Sequence, residues 1–232
     1  MPRVERNAEV AIVTLVYRSL KWLDFVMDGV DSSRNITRYR WLVVANDATP
    51  EVKADPRISV DFENEDPSEF YIPRVYRAWN AGVLEAPTQL VVMTNSDMYH
   101  ADYWLDELVA IKKSNNKTVP TSLLVESGKV PSGLPEFVRN FGMNPDEFQK
   151  DAFRKHAATV RQERTTQAGG LYMPILVDRQ EFADIGMYPP GNPPGTTGDK
   201  DLIRRYQEAG FQHVTALGSV VYHCVQGEQG WP

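Results

Sequence analysis

Four short stretches carry the side chains best suited to chemistry. Asn95-Ser96-Asp97 follows the apolar run Leu90–Met93, and Asn46-Asp47 ends the run that starts at Trp41. Asp199-Lys200-Asp201 follows a Pro/Gly-rich segment, and His223 sits near the end of a β-branched run. Carboxylates with one imidazole suit a small divalent cation. Oxygen ligands favour Mg²⁺ or Mn²⁺, and the imidazole tilts the choice toward Mn²⁺. Asp97 and His223 are the candidate ligand pair. A carboxylate can also serve as a general base, for which Asp199 and Asp201 compete. At the start of a helix, Asp199 gains from the positive end of the helix dipole, which favours the ionised form.

Other chemistries lack their signatures. No Gly-x-Gly-x-x-Gly follows the first apolar run, and Gly195-Thr196-Thr197-Gly198-Asp199 has no Gly-Lys-Ser/Thr. The chain has no Cys-x-x-Cys, no His-Glu-x-x-His and no recognisable nucleophilic triad.

The elements that must position these residues follow from periodicity. Glu9–Tyr17, Trp41–Asp47, Arg57–Phe62 and Leu90–Met93 read as short buried strands. Between them, Leu20–Val30, with Ser19 as its cap, and Arg74–Ala86 show helical spacing, as does 102–113 after the fourth strand. Alternating strand and helix imply a mostly parallel sheet flanked by helices, with ligands beyond the carboxyl ends of the strands. Farther along, 144–160 reads as a helix, 169–177 as a strand, 178–186 and 199–210 as helices and 218–224 as a last strand. Residues 127–137 and Pro189–Gly198 read as loops. The latter has the composition of a lid. Trp79 and Cys224 read as core residues.

With 232 residues, 42% hydrophobic and 24% charged, the chain has the composition of a soluble globular domain. A formal net charge of −6 argues against a broad nucleic-acid-binding surface. One cysteine, a charged start and apolar runs too short to span a bilayer point to a cytoplasmic protein with no membrane contact.

Taken in order, these segments resemble the inverting nucleotide-sugar glycosyltransferases of the GT-A fold. "AIVTLVYRSLKWLDFVMDGV" resembles the opening strand and helix, and "VVANDATPE" the nucleoside-holding turn. "YRAWNAGVLEA" is similar to the helix with Asn-x-Gly, and "VVMTNSDMY" to the strand leading into the Asp-x-Asp motif. "GGLYMPILVDRQEFADIGMY" resembles the acceptor-side segment, "GDKDLIRRYQEAGF" the helix that carries the base, and "VVYHC" the strand with the metal-binding His. Asn95 and Asn46 stand where the family has acids, Trp79 where it often has Arg, and Gly198 where it has Glu.

The resemblance implies a single α/β GT-A-like domain. Its donor half runs to about residue 115, and its acceptor and base half covers about 116–232. Asp97 and His223 would hold the metal. Asn46, Asp47, Tyr17, Arg74, Asn95 and Ser96 would contact the donor, a UDP-sugar foremost, and Asp199 or Asp201 would be the base. The acceptor hydroxyl belongs to a glycan, a small molecule or a modified base in DNA. A sugar nucleotidyltransferase and a non-catalytic nucleotide-sugar or carbohydrate-binding module remain as alternatives.

Overall fold

The four early apolar runs all become strands: β1 (Val10–Val16), β2 (Tyr39–Asn46), β3 (Ile58–Phe62) and β4 (Leu90–Met93). They are joined by α1 (Leu20–Asp31), α2 (Pro50–Lys53) and α3 (Tyr71–Glu85). These elements belong to a computed structural model that describes residues 7–66, 68–129, 134–225 and 227–228. The charged start at 1–6 and part of the expected loop, 130–133, lie outside the described residues. The four strands run parallel in the order β3-β2-β1-β4. Val10 to Val13 are completely buried, because helices cover both faces of β1.

Gly82 of the Asn-x-Gly motif lets α3 lie close on the sheet. A Cβ there would stand 2.7 Å from Val13 Cγ1 and 3.0 Å from Val44 Cγ2.

The second half completes the sheet. It contributes β5 (Met98–His100), α4 (Trp104–Ser114), β6 (Thr118–Glu126), α5 (Lys150–Val160) and β7 (Thr166–Ala168). Then come β8 (Ile175–Asp178), α6 (Arg179–Asp184), α7 (Gly198–Glu208) and β9 (Gln212–His223). The strand order is β3-β2-β1-β4-β8-β6-β9-β5, with β7 on β9. β8 is antiparallel to β4 and β6, while β6 and β9 are parallel. The carboxyl ends of β1, β2, β4, β6 and β9 therefore share one edge of the sheet. The fold is α/β, with a mostly parallel sheet flanked by helices.

Several expected boundaries move. The helix expected from 144 begins at Lys150, because Asn144 Oδ1 takes the N–H groups of Asp146 and Glu147 and holds a turn. The strand expected at 169–177 is confined to Ile175–Asp178. Gly169 and Gly170 have φ of 72° and 130°, which no strand residue adopts. The last strand starts six residues early, at Gln212. Ser19 stands at the N-cap of α1 but makes no side-chain capping bond. The Glu228 carboxylate takes the N–H groups of Tyr17, Arg18 and Ser19 instead.

Candidate active site

Strand ends that share an edge bring distant residues together. A cleft of about 520 Å³ opens along that edge and is lined by Tyr17, Asn46, Asp47, Arg74, Asn95, Ser96, Asp97, Asp199 and His223. These are the residues singled out from the sequence, except Asp201.

Asp97 follows β4 and His223 ends β9. Antiparallel pairing of β5 with β9 places His223 opposite Met98, beside Asp97. Asp97 Oδ2 lies 3.3 Å from His223 Nε2 and accepts the Gly227 N–H at 2.9 Å. On its other side, His223 Nδ1 lies 3.3 Å from Glu126 Oε1. Glu126 is the register partner of His223 at the end of β6. Glu126 carries no clear sequence signal, because its strand mixes Thr, Ser and Pro with apolar residues and lacks a continuous apolar run.

Burial pushes the Asp97 carboxyl up, but the His223 charge and the hydrogen bonds outweigh it and leave it below the usual range. Burial pulls the His223 imidazole down, and the two carboxylates outweigh that and lift it to about 9. The pair thus calls for a positive charge beside Asp97, a need that a proton or a cation can meet.

Among the described residues, no three His, Cys, Asp or Glu side chains converge to enclose a metal ion. One carboxylate oxygen and one imidazole nitrogen facing a cleft do fit a cation that draws its other ligands from a diphosphate and water. The Glu126 carboxylate behind the imidazole is the kind of outer partner that orients a histidine ligand.

At the end of β2, Asp47 has φ of 47° and is held on both oxygens. Asn64 donates its N–H to Oδ1 at 2.8 Å and its side-chain amide to Oδ2 at 2.9 Å, and Arg74 Nη1 reaches Oδ2 at 2.9 Å. Asn64 also donates to Asn46 Oδ1 at 3.1 Å. The Asn at position 46 therefore fits its setting: it accepts from one amide where an acid would add a second charge beside Asp47. Asn64 carried no sequence signal, since it lies in a polar loop.

Asp199 opens α7. Its N-cap is Thr197, whose side chain accepts the Lys200 N–H, so the Asp199 carboxylate has no capping duty. Tyr188 donates its hydroxyl to Asp199 Oδ1 at 3.1 Å. Burial raises the Asp199 carboxyl, and the Tyr188 hydrogen bond only partly offsets it. The expected gain from the helix dipole is thus outweighed by desolvation. Gly198 is required: a Cβ there would lie 2.2 Å from the Tyr76 ring.

Asp201, expected as the competing base, does not line the cleft. It points away from the cleft into an ion pair with Arg204 at 2.6 Å and Arg205 at 2.7 Å. At one residue per 100°, two positions along a helix carry a side chain to the opposite face.

No protein-family model and no curated protein matches the chain. Solved structures do. A crystal structure of GalNAc-T7 with UDP, GalNAc and Mn²⁺ superposes at a TM-score of 0.60 with 14% identity, over 94% of this chain and 44% of that one. Residues 1–349 of S. aureus TarS superpose at 0.58 with 11% identity, over 93% of this chain and 60% of that one. The chain thus spans less than two thirds of either neighbour. What it shares with both across nearly its whole length is the arrangement of sheet and helices, a GT-A-like fold.

Proposed function

We propose that this chain transfers a sugar from a nucleotide-sugar donor, a UDP-sugar foremost, to a hydroxyl acceptor with inversion at the anomeric carbon. The observation that carries the reading is one cleft holding both the Asp97–His223 pair and the partly buried Asp199, which come from different elements. Asn46, Asp47, Tyr17 and Arg74 bind the nucleoside end, and Asn95 and Ser96 line the phosphate end. Asp97 and His223 would hold a Mn²⁺ or Mg²⁺ ion, which would supply positive charge to offset that of the leaving nucleotide. Asp199 takes the proton of the acceptor hydroxyl as its oxygen bonds to the anomeric carbon and the nucleotide leaves with the electron pair. A carboxyl raised by burial is a stronger base than an exposed one, which suits that role.

Tyr71 and Tyr172 also line the cleft, and aromatic faces suit the apolar face of a sugar acceptor better than a phosphate backbone. In this reading the donor half extends to about residue 115 and the base lies in the remainder. A cytoplasmic location accords with the single, buried Cys224. Among the described residues no helix is long and apolar enough to cross a membrane.

The test is incubation with a panel of nucleotide sugars and acceptors in Mn²⁺, following nucleotide release and product anomeric configuration by NMR. Nucleoside diphosphate release with an inverted product is expected. Pyrophosphate release would mark a nucleotidyltransferase, and donor binding without turnover would mark a binding module.

A further inference from the structure

Among the described residues Tyr188 alone donates a hydrogen bond to the Asp199 carboxylate, and it is itself fixed from three directions. Its backbone is clamped by Asn80 of α3, which donates Nδ2 to the Tyr188 carbonyl and accepts the Tyr188 N–H on Oδ1, both at 3.0 Å. Its ring stacks on Tyr76 of the same helix, with centroids 4.8 Å apart and planes within 6°. Just before it, Gly186 and Met187 have φ of 89° and 60°, a turn that a methionine adopts only when its surroundings impose it. The side chain is 3% exposed.

Three phenols face Asp199: Tyr76 from α3, Tyr172 from the segment before β8 and Tyr188 from the turn after α6. All three are held above the usual tyrosine range, so they are neutral at neutral pH. Among the described residues no lysine, arginine or histidine pairs with Asp199. On its own helix, Arg204 and Arg205 are engaged by Asp201.

We propose that Tyr188 is the positioning residue of the base: its hydroxyl pins Oδ1 of Asp199, so that Oδ2 is the oxygen presented to the acceptor hydroxyl. This rests on the reading of Asp199 as general base. It also gives the Asn-x-Gly motif of α3 a function, with Gly82 setting the helix against the sheet and Asn80 holding Tyr188 in place.

The test is Tyr188→Phe, which keeps the ring stack and removes only the donor. Donor affinity in Mn²⁺, measured by calorimetry, is expected to be unchanged. The kcat is expected to fall roughly 10- to 100-fold, the order that losing an orienting partner costs. The acid limb of the pH profile is expected to move upward, because the lost hydrogen bond favoured the ionised carboxylate. A reading independent of substrate comes from ¹³C-carboxyl NMR of Asp-labelled protein, with the Asp199 signal identified by its loss in Asp199→Asn. Its titration midpoint should move upward in Tyr188→Phe, and an unmoved midpoint overturns the proposal. Transfer lost in Asp199→Asn but intact in Tyr188→Phe overturns the positioning role alone. Transfer surviving in Asp199→Asn overturns the base reading and the positioning role together.

Discussion

Asp97 and Asp199 share one cleft, yet their surroundings push their carboxyls in opposite directions. His223 holds Asp97 below the usual range, and burial without a cationic partner raises Asp199. Two like groups driven apart in this way suit a division of labour between a permanent anion and a proton acceptor. The raised group has a consequence for stability. Its native carboxyl binds a proton more tightly than the unfolded chain does, so its favourable contribution is full below the unfolded value, 3.8, and is lost as pH rises through the raised native value. At neutral pH the ionised Asp199 is therefore a cost to folding. Asp199→Asn is expected to be more stable than the wild type at pH 7, with the advantage shrinking to nothing near pH 3, as read from urea unfolding across that range. Transfer should fall by roughly 10²–10⁴-fold in the same variant, the scale of lost general-base assistance. A variant less stable at pH 7 would show that burial does not govern this carboxyl.

The elements set how finely these residues are placed. Helix α3 does three things at once: it covers β1 and β2 through Gly82, it holds Tyr188 through Asn80, and it lines the cleft through Tyr76. Gly82→Ala puts a methyl where Val13 and Val44 leave no room. Overpacking of this kind costs about 1–3 kcal/mol, which chemical denaturation would register. The cost should come with lower transfer, because lifting α3 displaces Asn80 and Tyr76 together. The loop Pro189–Gly198 is anchored at its base, where Asn192 Oδ1 accepts the Gly198 N–H at 2.9 Å and the Tyr76 hydroxyl at 3.1 Å. Limited proteolysis is expected to cut this loop in the free protein and to be slowed by donor with Mn²⁺. Equal cutting in both conditions would leave it no part in closing the cleft.

Across the whole molecule, the sheet turns sequence separation into contact. Asp97 and His223 are far apart in the chain and 3.3 Å apart in the fold. Glu228 crosses to the start of α1, where Arg18 N–H meets its carboxylate at 2.7 Å. A ligand bridging these parts should stabilise the chain as one unit. Nucleoside diphosphate with Mn²⁺ at 100-fold over its dissociation constant is expected to add about 2.7 kcal/mol, read as a rise in Tm. In Asp97→Ala, Mn²⁺ should no longer add to the stabilisation by the nucleotide. An undiminished Mn²⁺ effect in that variant would remove Asp97 from the metal site.

The sequence by itself determined the parallel half of the sheet and the places where its strands end. Buried strands such as Val10–Val16 and Leu90–Met93 are continuous apolar runs, and Asn46 and Asn95 mark where polar residues replace them. Asn46, Asp47, Asn95, Ser96, Asp97, Asp199 and His223 were legible for the same reason, since each lies at or just past a strand end or in the first turn of a helix. Only the tertiary structure decided the rest. β6 is buried along its length although it carries Thr, Pro, Ser and Glu, because its polar groups are paired by neighbours such as Ser219 and Val214 rather than by water. With β6 unread, Glu126 had no visible link to His223. Packing likewise decided that Asp199 lines the cleft beside Tyr188 while Asp201 meets Arg204 and Arg205. Spacing along a helix gives the angle between two side chains, but only packing fixes which of them faces the cleft.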